Sequence, residues 1–339
     1  MIVAWIGFLL AVLGLLLFDL NVLNRDDHVI PVREAFRNTA VFAAVALGFA
    51  AVVWQAYDAH WFGMGLTPDA IDGVMNTGRI AAIKYITGYV VELSLSMDNV
   101  FVIALIFAHL RVPAEYQHRV LFWGVLGALA MRGVMIAVGA QLVARYHWIL
   151  YVFGAFLLYT AIKMLIAGGE TAESPDESRI VRWIRRLLPV TSTEHGHDFF
   201  VRENARWMLT PLAVCLVLVE TTDLLFAVDS IPAIFAITTD PFLVFTSNVF
   251  AILGLRSLYF ALAGAMDRFA HLKTSLAIIL GIVGAKMLAA DWLVRRLGPA
   301  ANQWLLLVVA AVLVGGVVVS MRQERSRSKA GGSRTDAGP

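Results

Sequence analysis

The chain has 339 residues, 59% of them hydrophobic and 15% charged, with a mean hydropathy of +0.74 and a net charge of +2. A soluble domain is about 45–50% apolar and about 25% charged, so composition excludes a water-solvated globule and offers no basic surface for nucleic acid. Cys215 is the single cysteine, which excludes an internal disulfide and a thiolate metal cluster.

A membrane-crossing helix needs about 20 mostly apolar residues. Nine windows meet that need, at about 1–19, 39–57, 81–107, 119–140, 148–167, 209–237, 242–264, 274–292 and 303–321. The first window has no Lys or Arg ahead of its apolar run, so it reads as a span and not as a secretory signal. The fold class expected is therefore an all-α polytopic membrane protein of about nine transmembrane helices. Its sections would be an N-terminal two-helix segment (1–79), a three-helix unit (80–167), a loop (168–208), a second three-helix unit (209–292), a last helix (293–321) and a disordered tail (322–339). Within the loop, Ile180-Val-Arg-Trp-Ile-Arg-Arg-Leu-Leu-Pro189 alternates basic and apolar positions at helical spacing, as a surface or linker helix would.

Loop charge sets the expected orientation. One side collects Arg25, Arg33, Arg37, Arg111 and Arg119, the six arginines from Arg179 to Arg206, Arg268, Lys273, and the tail from Arg322 to Arg334. That is 18 of the 27 basic residues, against 4 on the other side (Arg79, Arg145, Arg295 and Arg296). The expectation is a multi-pass protein of the cell inner membrane, N-terminus outside and C-terminus cytoplasmic.

Three landmarks recur in order. Glu92-Leu-Ser-Leu-Ser-Met-Asp98-Asn99 aligns with Asp223-Leu-Leu-Phe-Ala-Val-Asp229-Ser230, Arg132 with Arg256, and Lys163 with Lys286, at offsets of 131, 124 and 123 residues. Units of three spans must enter the bilayer from opposite sides, so this pattern predicts a 3+3 inverted repeat, an arrangement that builds sites near the midplane.

Five carboxylates fall inside spans: Glu92, Asp98, Glu220, Asp223 and Asp229. Each buried charge costs about 2.5–3.5 kcal/mol on insertion scales, so five together read as a cation path. Ser96, Asn99, Thr222, Ser230 and Asn248 add neutral oxygens, while Arg132, Lys163, Arg256 and Lys286 are candidate charge partners. Glu92 and Asp98, six residues apart, lie about 9 Å apart along a straight helix and on different faces. Either the helices unwind there, with Pro232 a candidate break, or each pair lines a path at two depths. An oxygen-only donor set suits Mg²⁺, Ca²⁺ or Mn²⁺. Glu194-His195-Gly-His197-Asp198 reads as a polar turn. An intramembrane aspartyl hydrolase would want glycines before its second aspartate, and Ala227-Val-Asp229 lacks them, so no enzyme and no resident cofactor is expected.

At these residues the chain resembles the TerC family of integral membrane proteins, and within it the Alx-type members. The matching stretches are Glu92 to Val100, the run Val219-Glu-Thr-Thr-Asp-Leu-Leu-Phe-Ala-Val-Asp-Ser-Ile-Pro-Ala-Ile-Phe-Ala-Ile-Thr238, and Asp240-Pro-Phe with Thr246 to Phe260. The resemblance extends from the first span to Lys286-Met-Leu288. It implies export of Mn²⁺ through the family's acidic positions, which fall on Glu92, Asp98, Glu220, Asp223 and Asp229, and it carries the family's link to tellurium resistance. A Ca²⁺ or broader cation/proton exchanger and a membrane scaffold for stress response are the alternatives. Oligomeric state is left open.

Overall fold

The computed structural model describes residues 2–18, 31–166, 189–191, 198–203, 206–263, 272–297 and 300–332, with Arg186 and Gly196 between them. Among the described residues, ten α-helices follow one another: α1 (Ile2–Phe18), α2 (Val32–Asp58), α3 (Gly78–His109), α4 (Ala114–Arg145), α5 (Ile149–Ile166), α6 (Pro211–Phe235), α7 (Pro241–Ala263), α8 (Leu272–Leu288), α9 (Ala290–Leu297) and α10 (Ala300–Gly332). Six of them, α2 through α7, are long and apolar enough to cross a membrane, and shorter apolar stretches lie in α1, α8 and α10. Each of the nine sequence windows thus coincides with a helix. The tenth, α9, is a short connector.

Polarity is distributed inside out. Large apolar side chains such as Ile6, Leu13, Val134, Val138 and Tyr159 point outward, while Lys84, Glu92, Asn99, Arg132 and Asp223 are buried. That is the arrangement expected where lipid is the solvent and every polar group must find its partner within the protein.

The helix ends have local causes. Pro211 opens α6 at the first helical position, and the Thr210 hydroxyl accepts from the Ala213 amide at 3.3 Å. The Asp240 carboxylate accepts from the Phe242 amide at 3.0 Å, capping α7. Pro232 does not break α6, which runs three residues beyond it to Phe235. α3 is likewise continuous through both of its acids. Of the two geometries open from the sequence, the structure has the unbroken helices with acids at two depths.

Close approaches fix how the helices pair. Gly88 of α3 lies beside Ile234 of α6 and Asn99 beside Asp223, so these two helices run antiparallel. α4 runs parallel to α6, Gly124 against Val219 and Gly139 against the Phe235 ring. α5 and α8 cross antiparallel with backbones nearly touching: a Cβ on Gly284 would meet the Gly154 carbonyl at 3.0 Å. α3 also packs on α7, which is buried nearly all round.

Two features differ from the sequence reading. A hairpin, β1 (Phe200–Glu203) with β2 (Arg206–Leu209), precedes α6 in what read as loop, pairing Phe200 with Leu209. α10 continues to Gly332, through Arg, Gln, Glu, Lys and Ala residues that favour helix, where a disordered tail was expected. The surface-helix stretch 180–189 and the polar turn at 194–198 fall mostly outside the described residues.

Candidate functional site

Glu92 stands near the middle of α3 and Asp223 near the middle of α6, and Arg132 of α4 joins them. The Asp223 carboxylate accepts from the arginine Nε at 3.2 Å and from Nη2 at 2.9 Å, a two-pronged contact. Nη1 donates to Glu92, to the Ser230 hydroxyl at 3.3 Å and to the Asn248 Oδ1 at 3.1 Å. Asn99 donates to Asp223 Oδ1 at 3.3 Å. Glu92 is 0% exposed and Arg132 2%, so this cluster is sealed inside the bundle. Four helices supply it: α3, α4, α6 and α7.

Three oxygens around this centre have no donor. Glu92 Oε2, Asn99 Oδ1 and Glu220 Oε2 are buried and without a hydrogen-bond partner. Leaving a buried acceptor unpaired costs about 1–3 kcal/mol, so three together need an explanation. Glu220 lies one turn before Asp223, its carboxylate in a notch that exists because residue 127 on α4 is glycine. Any Cβ there would collide with it.

The remaining acids extend the set along the same two helices. Asp98, half-buried, sits beyond Glu92 toward the α3 C-terminus; Asp229, also half-buried, lies toward the α6 C-terminus, where Thr160 of α5 donates to it at 3.4 Å. The antiparallel register of α3 and α6 sets Asp98 level with Asp223 and Glu92 level with Asp229, and Glu220 lies one turn beyond Asp223 toward the end where α3 closes. Ser96 and Thr222 are buried on the same two helices. Among the described residues, no three His, Cys, Asp or Glu side chains converge as a ready metal cluster.

The basic residues divide. Arg132 pairs with the acids as anticipated, and Arg256 is buried on α7. Lys163 is exposed on α5. Lys286 corrects the expectation: its ammonium donates to the Ala236 carbonyl at 2.6 Å and to Asn302 Oδ1 at 3.0 Å, and to none of the five acids. It belongs to a second polar cluster that sequence reasoning missed.

That cluster is centred on Lys84, 0% exposed, which contacts Asp69 and Asp72 at 2.8 Å each and Asn76 Oδ1 at 2.9 Å. Asp69 also accepts from the Thr239 amide at 3.0 Å, the Thr239 hydroxyl at 2.7 Å and Thr238. Asn302 of α10 donates to Asp72 at 3.1 Å, and Tyr57 donates to Asp240 at 2.8 Å. Gly73, at φ +66°, closes the turn that aims both aspartates at Lys84. Burial works against the charge of Asp69, yet Lys84 and the Thr238 and Thr239 bonds hold its carboxyl at about 2. Burial pushes the Asp240 carboxyl up, against the Tyr57 bond. The sequence signals were Lys84 and Lys286, lysines inside apolar windows.

Comparison with known proteins supplies the relationship. Residues 77–329 match the family described as "Integral membrane protein TerC family". An uncharacterized membrane protein of Myxococcus xanthus, STKORF319, is 44% identical over 321 residues, 95% of this chain and 92% of that one. A proposed membrane-bound redox modulator of Escherichia coli (strain K12), Alx, is 44% identical over 293 residues, covering 85% and 86%. A Rickettsia bellii membrane protein is 36% identical over 284 residues, 84% of this chain and 87% of that one. No solved structure matches. The chain belongs to the TerC family.

Proposed function

We propose that this TerC-family membrane protein is a secondary transporter, and not an enzyme, that exports a divalent cation, Mn²⁺, from the cytoplasm. The observation that carries the reading is a set of acids at successive depths along α3 and α6, Glu220 toward one end, Asp98 with Asp223 next and Glu92 with Asp229 beyond, with three buried oxygens among them lacking donors. Placing so much charge in a bilayer is expensive unless it lines a path. With the basic loops in the cytoplasm, Asp98 and Glu220 receive the ion, Glu92 and Asp223 hold it, and Asp229 releases it outward.

Helix pairing supports the same reading. Helices expected to be equivalent, α3 with α6 and α5 with α8, run antiparallel and touch, as two inverted units would. The donor chemistry of carboxylate, amide and hydroxyl oxygens selects hard cations, and Mn²⁺ within that class rests on the family resemblance. A redox role of the kind named for Alx has no exposed thiol to use here, because Cys215, the single cysteine, is buried.

The test loads cells with Mn²⁺, with and without the protein, and measures intracellular metal. The wild type lowers Mn²⁺, and Asp98→Asn or Asp229→Asn fails to. Equal Mn²⁺ in every strain sinks the reading, lowered Ca²⁺ instead redirects it, and silent substitutions leave a scaffold.

A further inference from the structure

Most of the oxygens that would hold a divalent cation at the centre are already taken, Glu92 Oε2 and Asn99 Oδ1 being the exceptions. Arg132 bonds to both Asp223 oxygens, to Glu92, to Ser230 Oγ and to Asn248 Oδ1, with its side chain sealed from solvent. A hard cation draws six or more oxygen ligands at about 2.0–2.6 Å. It cannot take these oxygens while a guanidinium is bonded to them, and two cations at one carboxylate pair repel. Either Arg132 or the metal occupies the centre.

Resting on the cation-transport reading, we infer that Arg132 is a tethered competitor. It fills the site when the carrier is empty, must be displaced for the ion to load, and thereby sets the ion's affinity. The structure also supplies a place for the displaced guanidinium. Arginine side chains on a helix lean toward its N-terminus, and Gly127 lies in that direction on α4, about one and a half turns before Arg132. Against Gly127 lies the Glu220 carboxylate, with Oε2 buried and unbonded. Once the ion has passed from the entrance to Glu92 and Asp223, Glu220 no longer holds it and acts through Arg132 as a positioning residue: it receives the guanidinium that the ion expels from the centre. The exchange keeps the buried acids compensated in both states, and an emptied site does not stay open as a bare pair of carboxylates.

A structural arginine and a competing one predict opposite changes. Titration calorimetry of Mn²⁺ into the purified full-length protein reads them. Arg132→Gln binds Mn²⁺ about ten-fold tighter than wild type, because no guanidinium has to leave. Arg132→Lys keeps a positive charge but loses the two-pronged hold on Asp223, and binds about three-fold tighter. Glu220→Gln weakens binding in the wild-type background and has no effect in the Arg132→Gln background. Unchanged or weaker binding in both Arg132 variants overturns the inference, since that is what a purely structural arginine gives. If Arg132→Gln does not purify as a folded protein, Arg132→Lys decides alone. Glu220→Gln weakening binding equally in both backgrounds would make Glu220 a direct ligand and overturn its part. Wild type binding none of Mn²⁺, Ca²⁺ or Mg²⁺ would remove the transport reading itself, whereas binding by wild type without tightening in the variants removes only the competitor.

Discussion

Replacing Lys84 by methionine isolates the cluster that the sequence did not reveal. Methionine fills much of the same volume but removes three contacts of 2.8–2.9 Å, leaving Asp69 and Asp72 charged and buried. Breaking a buried ion pair from one side costs about 3–5 kcal/mol, because the remaining charge is uncompensated. For a chain of 339 residues, unfolding entropy of about 2 cal/mol/K per residue converts that to a fall in Tm of about 4–7 °C. The nine tryptophans report the transition by intrinsic fluorescence in detergent. Lys84→Met/Asp69→Asn removes one of the two stranded charges, so it recovers about half the loss, a non-additivity diagnostic of direct contact. A Tm change below about 1 °C for Lys84→Met, or a double variant that is worse than the single by the full Asp69→Asn effect, would refute the account of this cluster.

Asp69 adds a pH dependence with a definite sign. Its folded carboxyl is held at about 2, below the ordinary carboxylate value, so the stability it contributes is present above the ordinary value and lost as pH falls toward 2. Asp69→Asn should flatten the acid limb of Tm against pH between about 4 and 2, and an unchanged limb would contradict the Lys84 pairing. Gly127→Ala drives the Glu220 carboxylate out of its notch; Mn²⁺ efflux should drop about ten-fold or more while Tm moves by under about 2 °C, since the group displaced is the end of a flexible side chain. Gly284→Val pushes two backbones apart where α5 crosses α8, and overpacking of that kind costs about 1–3 kcal/mol, read again as a lower Tm.

What the sequence disclosed, and what it withheld, follow from the range of the forces involved. All nine apolar windows coincide with helices because hydropathy is a local property and lipid enforces it residue by residue. Glu92, Arg132 and Asp223 were legible as charges inside apolar windows, with Arg132 one of four candidate partners, but which acids it would meet was not. The Lys84 cluster was not, because Asp69 reads as a polar loop residue until Thr238 and Thr239, some 170 residues later, fold over it, and Asn302 reaches Asp72 across 230 positions. Lys286 was misassigned for the same reason: a carbonyl and an amide across the fold answered its charge, and no carboxylate was needed. The β1–β2 hairpin went unread because four-residue strands amid charged residues carry little alternation.

The central claim, that intramembrane carboxylates pass a divalent cation through the bundle, is met most directly with purified protein in proteoliposomes and a Mn²⁺-quenched dye inside. Wild type should quench the dye on addition of Mn²⁺. Asp229→Asn, which leaves the Arg132 contacts with Glu92 and Asp223 in place, should stay within about two-fold of empty liposomes, since intramembrane carboxylates mark the ion's path. Quenching by Asp229→Asn at the wild-type rate, or none by wild type, would contradict the account.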